Sequence, residues 1–174
     1  MTDVDLAALI RDVPDWPEPG VTFKDLTPLL ADPRAFAQVV DRLAEPHLGA
    51  AITKVVGIEA RGFVVAAPVA HRLGAGFVPA RKPGKLPRPT VTEEYALEYG
   101  TDRLELHTDA IGPGERVLIV DDVIATGGTA AAAARLVESL GGEVAGLAFV
   151  IELGFLHGAD RLAGWDHRSL LTYS

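Results

Sequence analysis

Short apolar runs rich in β-branched residues alternate along the chain with longer segments rich in alanine and leucine. Five of these runs, apolar in their middles as expected for strands covered on both faces, lie at 54–60, 76–82, 116–123, 144–153 and 169–173. The segments 62–73 and 129–140 predict helices between them, and the glycines that follow the second are a typical helix end. This alternation predicts an α/β fold around a central, mostly parallel, twisted sheet flanked by helices.

Two further helices are predicted before the sheet, near residues 3–12 and 34–48, and Pro33 suits the first turn of the latter. Residues 82–108 break the alternation, because they mix prolines, glycines and charges with weak period-2 runs. We predict a pair of antiparallel strands with an exposed connection in this part. An insertion of this length between core elements is usually functional, and lids over active sites are built in this way.

The composition is that of one domain, 1–174, with no membrane-spanning segment. The chain has 174 residues, of which 48% are hydrophobic, which is enough to enclose an active site. Its longest apolar stretches, such as residues 62–70, fall short of the about 18 residues that predict a membrane span. Acidic residues near the N-terminus and the absence of cysteine give no support to export, so we expect a cytoplasmic protein. A formal net charge of -8 argues against nucleic-acid binding.

One basic segment interrupts this acidic composition. Residues 81–88, RKPGKLPR, contain Arg81, Lys82, Lys85 and Arg88 and no acidic residue. On its own, such a run is usually a solvated loop. The segment alone therefore does not distinguish a solvated loop from a binding site for an anion.

The stretch VLIVDDVIATGGTA, residues 117–130, joins an apolar strand, two carboxylates and a glycine-rich turn before a helix. Backbone N–H groups at a helix start bind anions, and glycines let the backbone approach a phosphate closely. The turn has neither the lysine of a Walker loop nor the spacing of a dinucleotide site. Carboxylates repel phosphate, so we predict a ligand whose phosphate lies on the turn and whose sugar diol binds Asp121 and Asp122. An ordinary glycine turn is the alternative.

This arrangement resembles the signature of the type I phosphoribosyltransferases, in which an apolar strand, two acids and a threonine- and glycine-rich loop hold phosphoribosyl pyrophosphate. Four more segments resemble the adenine-specific branch of that family in the same order and spacing: PGVTFKDLTPLL at 19–30, IEARGF at 58–63, RKPGKLPRPT at 81–90 and ALEYGTDRLELH at 96–107. The similarity covers nearly the whole chain. It implies the type I phosphoribosyltransferase fold, with a small hood and a flexible antiparallel lid at about 82–108.

The resemblance assigns the predicted site to three parts of one ligand. The ribose 5-phosphate is expected on Ala125, Thr126, Gly127, Gly128 and Thr129. Asp121 and Asp122 are expected at the ribose 2- and 3-hydroxyls. The pyrophosphate is expected on Glu59, Ala60, Arg61 and Gly62, a segment that often contains a cis peptide in relatives, and on Arg81, Lys82 and Lys85. An arginine after a strand also has a plain alternative, which is to cap the edge of the sheet.

The same resemblance indicates adenine as the acceptor. Hypoxanthine-guanine enzymes usually carry an aspartate where this chain has Ala125. In adenine enzymes the corresponding role at the base belongs to a lid glutamate, here Glu98 beside Tyr99. A glutamate on an exposed loop that is merely solvated is the alternative.

Phe23 matches an aromatic residue that stacks on adenine, and the backbone near Thr22 and Lys24 matches the part that reads the edge of the base. The alternative for Phe23 is a side chain that only fills the core. The resemblance therefore implies an adenine site next to the sugar.

The implied enzyme transfers phosphoribose from phosphoribosyl pyrophosphate to adenine and gives AMP and pyrophosphate in purine salvage. The five histidines show no metal-binding spacing, so Mg²⁺ is expected to arrive with the substrate and not on protein ligands alone. Basic residues that act across a subunit boundary in relatives imply a homodimer. Two rivals remain: an enzyme for another base, such as xanthine, guanine or orotate, and a non-catalytic ligand sensor bound to DNA.

Overall fold

A five-stranded parallel sheet forms the centre of the computed structural model, which describes residues 3–96 and 100–174. The strands, in chain order, are β1 (Arg11–Pro14), β2 (Thr22–Asp25), β3 (Lys54–Ile58), β4 (Gly76–Ala80), β5 (Thr90–Ala96), β6 (Thr101–His107), β7 (Arg116–Ile124), β8 (Glu143–Leu153) and β9 (His167–Tyr173). The helices are α1 (Thr27–Ala31), α2 (Pro33–Ala44), α3 (Gly62–Leu73) and α4 (Gly128–Ser139). The central sheet has the order β4-β3-β7-β8-β9, and all of its neighbours are parallel, so the predicted α/β class is confirmed.

Apolar side chains cover both faces of this sheet, which explains the apolar middles of its inner strands β3, β7 and β8. On β7, Val117 and Ile119 belong to one buried cluster, and Leu118 and Val120 belong to the other. Helix α4 contributes to the first cluster, whereas α2 and α3 contribute to the second. A sheet enclosed in this way leaves the loops at the carboxyl ends of its strands as the accessible part, and β3 and β7 are neighbours there.

Three of the four predicted helices are present. The helices after β3 and β7 lie within one residue of the predicted bounds. Helix α2 begins at Pro33, and the carboxylate of Asp32 accepts hydrogen bonds from the first amides. It ends at Ala44, earlier than expected, and a short 3-10 helix that contains Pro46 follows it. Within residues 3–96 and 100–174, no helix combines the length and the apolar character needed to cross a bilayer.

The helix expected at residues 3–12 is wrong. A single 3-10 turn, Ala7–Leu9, begins after Asp5, whose carboxylate accepts hydrogen bonds from its first amides. Before this turn, the backbone N–H and C=O of Val4 bond with the side-chain amide of Gln38, at 2.7 and 2.9 Å. After the turn, the chain enters β1. A partner outside the segment therefore takes the carbonyl oxygen of Val4, which a helix over residues 3–12 would pair internally.

Two antiparallel hairpins stand outside the central sheet. The pair β1–β2, here called the hood hairpin, has a cis peptide between Trp16 and Pro17 in its connection. The pair β5–β6, here called the lid hairpin, lies within the predicted 82–108 segment and aligns Thr90 with His107 and Ala96 with Thr101. The antiparallel lid strands are therefore confirmed, whereas the flexibility of the lid remains a prediction.

Candidate active site

The loop between β7 and α4 forms a small cavity at the N-terminus of a 12-residue helix. Gly127 takes a left-handed conformation, with φ of 77°, which residues with a side chain rarely adopt. The cavity has a volume of about 90 Å³, and its lining includes Asp121, Ala125, Thr126, Gly127 and Thr129. Free amides at a helix start, together with two threonine hydroxyls, are a favourable setting for a phosphate.

Gly158 packs against this loop, although nothing in the sequence points to it. A Cβ atom at Gly158 would lie 2.2 Å from the carbonyl oxygen of Ala125 and 2.9 Å from the amide nitrogen of Gly127. A Cβ atom at Gly127 would in turn lie 2.2 Å from the carbonyl oxygen of Gly158. The two backbones therefore touch, with no room for a methyl group on either side. Because the contact joins segments far apart in the chain, a lone glycine in a loop gives no sign of it.

Asp121 lies where this loop meets the loop after β3. Its Oδ1 accepts a hydrogen bond from the backbone N–H of Asp122 at 2.9 Å. A Cβ atom at Gly62 would lie 2.4 Å from the same oxygen, so a glycine is needed there. Burial and the neighbouring charge of Asp122 raise the pKa of Asp121 well above its ordinary value. A ligand that brings hydroxyl donors or a cation would favour the charged form.

Asp122 forms an ion pair with Arg61, which follows β3. Nε of Arg61 donates to Oδ2 of Asp122 at 2.5 Å, with the carboxylate side chain 7% exposed and the arginine side chain 47% exposed. The guanidinium also lies 5.1 Å from the ring centroid of Phe23 in the hood hairpin. Arg61 therefore connects the acids to the hood and does not cap the sheet edge, so that alternative is wrong.

The segment after β3 lines a larger cavity of about 320 Å³, and its peptide between Glu59 and Ala60 is cis, as the resemblance implied. The carboxylate of Glu59 accepts hydrogen bonds from Nε of Arg81 and from the backbone N–H of Lys82, both at 2.9 Å. Glu59 therefore fixes the start of the basic segment against the end of β3.

The two cavities share Asp121, Val123 and Thr129 among their lining residues. The predicted ribose acids, phosphate loop and pyrophosphate loop thus border two adjacent cavities with three lining residues in common. Adjacent cavities of this kind suit an elongated ligand with a phosphate at one end and a second anionic group at the other.

The cations of the basic segment have different surroundings. Arg81 is held by Glu59, and Lys85 is exposed. Lys82 lines the larger cavity, and its ammonium donates to Asp102 and, at 2.8 Å, to the hydroxyl of Tyr95 in the lid hairpin. Burial opposes the charge on Lys82, but these two hydrogen bonds outweigh it and raise the pKa of Lys82. Lys82 is therefore not an ordinary solvated loop residue, and the predicted contact of the exposed Lys85 with pyrophosphate stays a prediction.

The three predicted adenine residues lie on β2, where Phe23 points toward Trp16 and Arg61, and Thr22 and Lys24 point toward a different cavity. The Phe23 ring is half-buried, lies edge-on to Trp16 at 4.4 Å between centroids, and belongs to neither core cluster of the described residues. Thr22 and Lys24 line a separate cavity of about 580 Å³. One edge of β2 pairs with β1, and in residues 3–96 and 100–174 the other edge has no strand partner, so backbone groups remain there for a base.

Glu98 and Tyr99 lie outside the described residues, so their predicted roles stay predictions. Tyr95 and Asp102, which flank them on the two lid strands, contact the predicted pyrophosphate residue Lys82. Tyr95 directly precedes the segment ALEYGTDRLELH and Asp102 lies inside it, but the sequence pattern indicates no role for either residue. The signal that was available is their place, since Tyr95 comes three residues before Glu98 and Asp102 comes three residues after Tyr99.

Comparison with known proteins identifies the family. A model of the phosphoribosyl transferase domain matches residues 29–170. The adenine phosphoribosyltransferase of Myxococcus xanthus is 60% identical over 169 residues, which cover 97% of this chain and 92% of that protein. The crystal structure of adenine phosphoribosyltransferase from Thermoanaerobacter pseudethanolicus superposes with a TM-score of 0.94 at 51% identity, covering 97% of this chain and 98% of that one.

A second solved structure, the adenine phosphoribosyltransferase of Saccharomyces cerevisiae complexed with adenine and an imino-altritol bisphosphate, superposes with a TM-score of 0.91 at 40% identity. The match covers 96% of this chain and 97% of that one. These similarities extend over the loops that border the two adjacent cavities. The chain therefore belongs to the phosphoribosyltransferase family and, within it, to the adenine phosphoribosyltransferases.

Proposed function

We propose that this enzyme transfers phosphoribose from phosphoribosyl pyrophosphate to N9 of adenine and releases AMP and pyrophosphate. The observation that carries the proposal is a pair of adjacent cavities that share the lining residues Asp121, Val123 and Thr129. Phosphoribosyl pyrophosphate has the matching form, with a phosphate at one end, a diol in the middle and pyrophosphate at the other end. The names of the relatives support adenine as acceptor, and the yeast protein was crystallised with that base.

The loop at 125–129 would hold the ribose 5-phosphate, since the helix N-terminus and the hydroxyls of Thr126 and Thr129 favour an anion. Asp121 would accept hydrogen bonds from the ribose hydroxyls. These bonds stabilise the charged carboxylate, which burial and Asp122 disfavour in the empty site. The repulsion between acid and phosphate thereby aligns the sugar, with its diol at the acids and its phosphate on the loop.

Positive side chains would stabilise the leaving group. As the bond from C1 to the pyrophosphate oxygen breaks, its electron pair leaves with pyrophosphate and positive charge develops on the ribose ring. Arg61 offers a planar fork of donors to pyrophosphate oxygens, and Lys82 offers a point charge. The negative charge of Asp121 and Asp122, at the ribose hydroxyls, would favour the oxocarbenium-like sugar.

The base would attack from between the hood and the lid. N9 of adenine bonds to C1, while Glu98 handles a proton on the base as a general acid or base. Phe23 would stack on the purine, and the backbone near Thr22 and Lys24 would read its edge. Closure of the lid excludes water, which would otherwise hydrolyse the activated sugar.

Magnesium dependence is part of the proposal. Among residues 3–96 and 100–174, no cluster of three acidic or histidine side chains is arranged to hold a metal. Asp121, Asp122 and Glu59 line the larger cavity, and Glu59 already accepts hydrogen bonds from the basic segment. Mg²⁺ is commonly bound by one or two carboxylates together with substrate phosphates, which Asp121 and Asp122 can supply. These residues therefore fit an ion that arrives on the substrate. When bound, the ion neutralises charge on the pyrophosphate. Chelation with EDTA is expected to abolish turnover, and added Mg²⁺ to restore it.

We also propose a homodimer, formed through the face made by β4 and the start of α3. Val64 is 45% exposed and Phe77 is 38% exposed on this face, and the ring of Phe77 lies edge-on to Phe63 at 5.7 Å between centroids. Strand β4 ends the sheet order, and the segment that carries Lys85 follows it. Val64→Glu is expected to give monomers by light scattering after gel filtration, with reduced turnover. An unchanged molar mass would contradict this interface.

The rival functions make different predictions. A sensor bound to DNA needs a basic surface, whereas this chain carries a formal net charge of -8 and is expected in the cytoplasm as an enzyme. The decisive assay supplies phosphoribosyl pyrophosphate, Mg²⁺ and one labelled base at a time: adenine, hypoxanthine, guanine or xanthine. We expect nucleotide from adenine at a kcat/KM far above that for the 6-oxopurines. Equal or better turnover of another base would refute the adenine assignment, and no nucleotide from any base would refute the enzyme.

A further inference from the structure

Lys82 connects the pyrophosphate side of the cavity to the lid hairpin. Its backbone N–H donates to Glu59 at 2.9 Å, which ties the residue to the end of β3. Its ammonium donates to the hydroxyl of Tyr95 on β5 and to the carboxylate of Asp102 on β6. One residue therefore connects the segment after β3 to both strands of the lid hairpin.

Tyr95 and Asp102, which accept the hydrogen bonds of the Lys82 ammonium, are held in place by the lid hairpin and by helix α4. Tyr95 and Asp102 are directly paired across the lid strands, and Tyr95 is only 5% exposed. The Tyr95 ring packs on Gly128, where Cδ2 would lie 3.3 Å from an added Cβ atom. On the same strand, Glu93 forms an ion pair with Arg135 of α4 at 2.5 Å. The base of the lid hairpin is thus anchored on the helix that begins at the phosphate loop.

Lys82 also differs from the two arginines beside it. Arg61 pairs with Asp122 and Arg81 pairs with Glu59, two acids that line the cavity. The acid that holds Lys82 comes instead from the lid. An ammonium has three N–H donors, and residues 3–96 and 100–174 accept two of these hydrogen bonds, which leaves the third for a ligand.

We propose that Asp102 is a positioning residue, which together with Tyr95 holds the Lys82 ammonium at the cavity so that its remaining donor is available to pyrophosphate. The inference rests on the proposed function, because that function supplies the pyrophosphate. Asp102 itself does not touch the substrate in this arrangement. Burial opposes ionisation of both partners, but their mutual hydrogen bond outweighs it, which raises the pKa of Lys82 and lowers the pKa of Asp102. The pair is therefore ionised at neutral pH.

A double-mutant cycle tests whether Asp102 acts through Lys82. Asp102→Ala is expected to lower kcat about tenfold, the size of one lost charged hydrogen bond, with the KM for adenine unchanged. In a Lys82→Ala background, the same change at Asp102 is expected to have no further effect. Asp102→Glu, which keeps the carboxylate, is expected to recover part of the loss.

A second cycle measures the affinity of the same four proteins for pyrophosphate with Mg²⁺ by calorimetry, and it does not depend on turnover. Asp102→Ala is expected to weaken binding about tenfold in the parent and to leave it unchanged in Lys82→Ala. Glu94→Gln is the matched control, since it breaks the exposed pair of Glu94 and Arg103, at 3.1 Å in the same hairpin. It is expected to change kcat and affinity by less than about twofold.

The outcomes separate the two proposals. Additive losses in the two cycles would overturn the positioning role and leave Asp102 a general support of the lid. A Lys82→Ala protein with parental kcat and affinity would overturn it as well. A parent that binds pyrophosphate but forms no AMP would refute the proposed function while the binding cycle still decides the role of Asp102. A parent that binds no pyrophosphate would overturn both.

Discussion

Gly158→Ala is expected to weaken binding of the ribose 5-phosphate group, although Gly158 has no side chain to contact it. The added Cβ atom would lie 2.2 Å from the carbonyl oxygen of Ala125, and real Cβ atoms essentially never come within 3.0 Å of another heavy atom. Both neighbours are backbone, so no flexible side chain can give way. The phosphate loop and the Gly158 segment must therefore separate by about 1 Å, which moves the amides that face the phosphate.

The size of the effect follows from that displacement. An extra methyl group in a closed contact costs about 1 to 3 kcal/mol of folding free energy. A displacement of about 1 Å in groups that position a substrate lowers the rate by up to about 100-fold. We therefore expect kcat/KM for phosphoribosyl pyrophosphate to fall by about 10- to 100-fold. The KM for adenine should change little, because the base lies at the other end of the site.

The assay compares Gly158→Ala with Gly164→Ala, a change in the same part of the chain where an added Cβ meets nothing within 4 Å. Affinity for ribose 5-phosphate is measured by calorimetry and the free energy of unfolding by urea denaturation. The control is expected to match the parent in both. A folded Gly158→Ala protein with parental affinity for ribose 5-phosphate would refute the reasoning.

Three further predictions concern the charged residues of the site. Asp121→Asn should raise the free energy of unfolding of the ligand-free protein at pH 7. The pKa of Asp121 is raised in the folded state, so ionisation of this carboxyl lowers the free energy of unfolding. This loss of stability is absent below the unfolded pKa of about 3.9 and grows as the pH rises above it. The gain measured by urea denaturation should therefore vanish near pH 3.5, and a gain that increases on acidification would contradict this. Glu98→Gln should lower kcat by at least about 100-fold with the KM for phosphoribosyl pyrophosphate little changed, and parental turnover would remove its proton-transfer role. Arg61→Lys, which keeps the charge but loses the planar fork, should weaken pyrophosphate binding about tenfold by calorimetry, and equal affinity would show that the charge alone suffices.

The parts of this structure that could be predicted from sequence are those whose signal is local. The inner strands β3, β7 and β8 are buried on both faces, so each gives a continuous apolar run. Strand β7 also carries the two acids and leads within a few residues into the glycine turn. The resemblance to a known family added the roles of Arg61 and the basic segment. Local pattern was therefore enough for the sheet and for the glycine turn at the start of α4.

The parts that could not be predicted depend on partners distant in the chain. The apolar spacing of residues 3–12 is typical of a helix, but Gln38, more than thirty residues away, takes the backbone groups of Val4. Gly158 meets the phosphate loop only in the folded chain, and Asp102 meets Lys82 across the lid. Sequence periodicity contains no information about such pairings.

The ion pairs of the site have a consequence for ligand selectivity. Arg61 binds Asp122 and Arg81 binds Glu59 through Nε, so an incoming anion meets cations whose charge is already offset by carboxylates instead of a bare positive pocket. Chloride and other small monovalent anions gain too little to compete with a carboxylate fixed at contact distance. A polyanion that contacts several of these cations at once gains enough binding free energy to compete. The abundant simple salts of the cell are therefore expected to be poor inhibitors of this site.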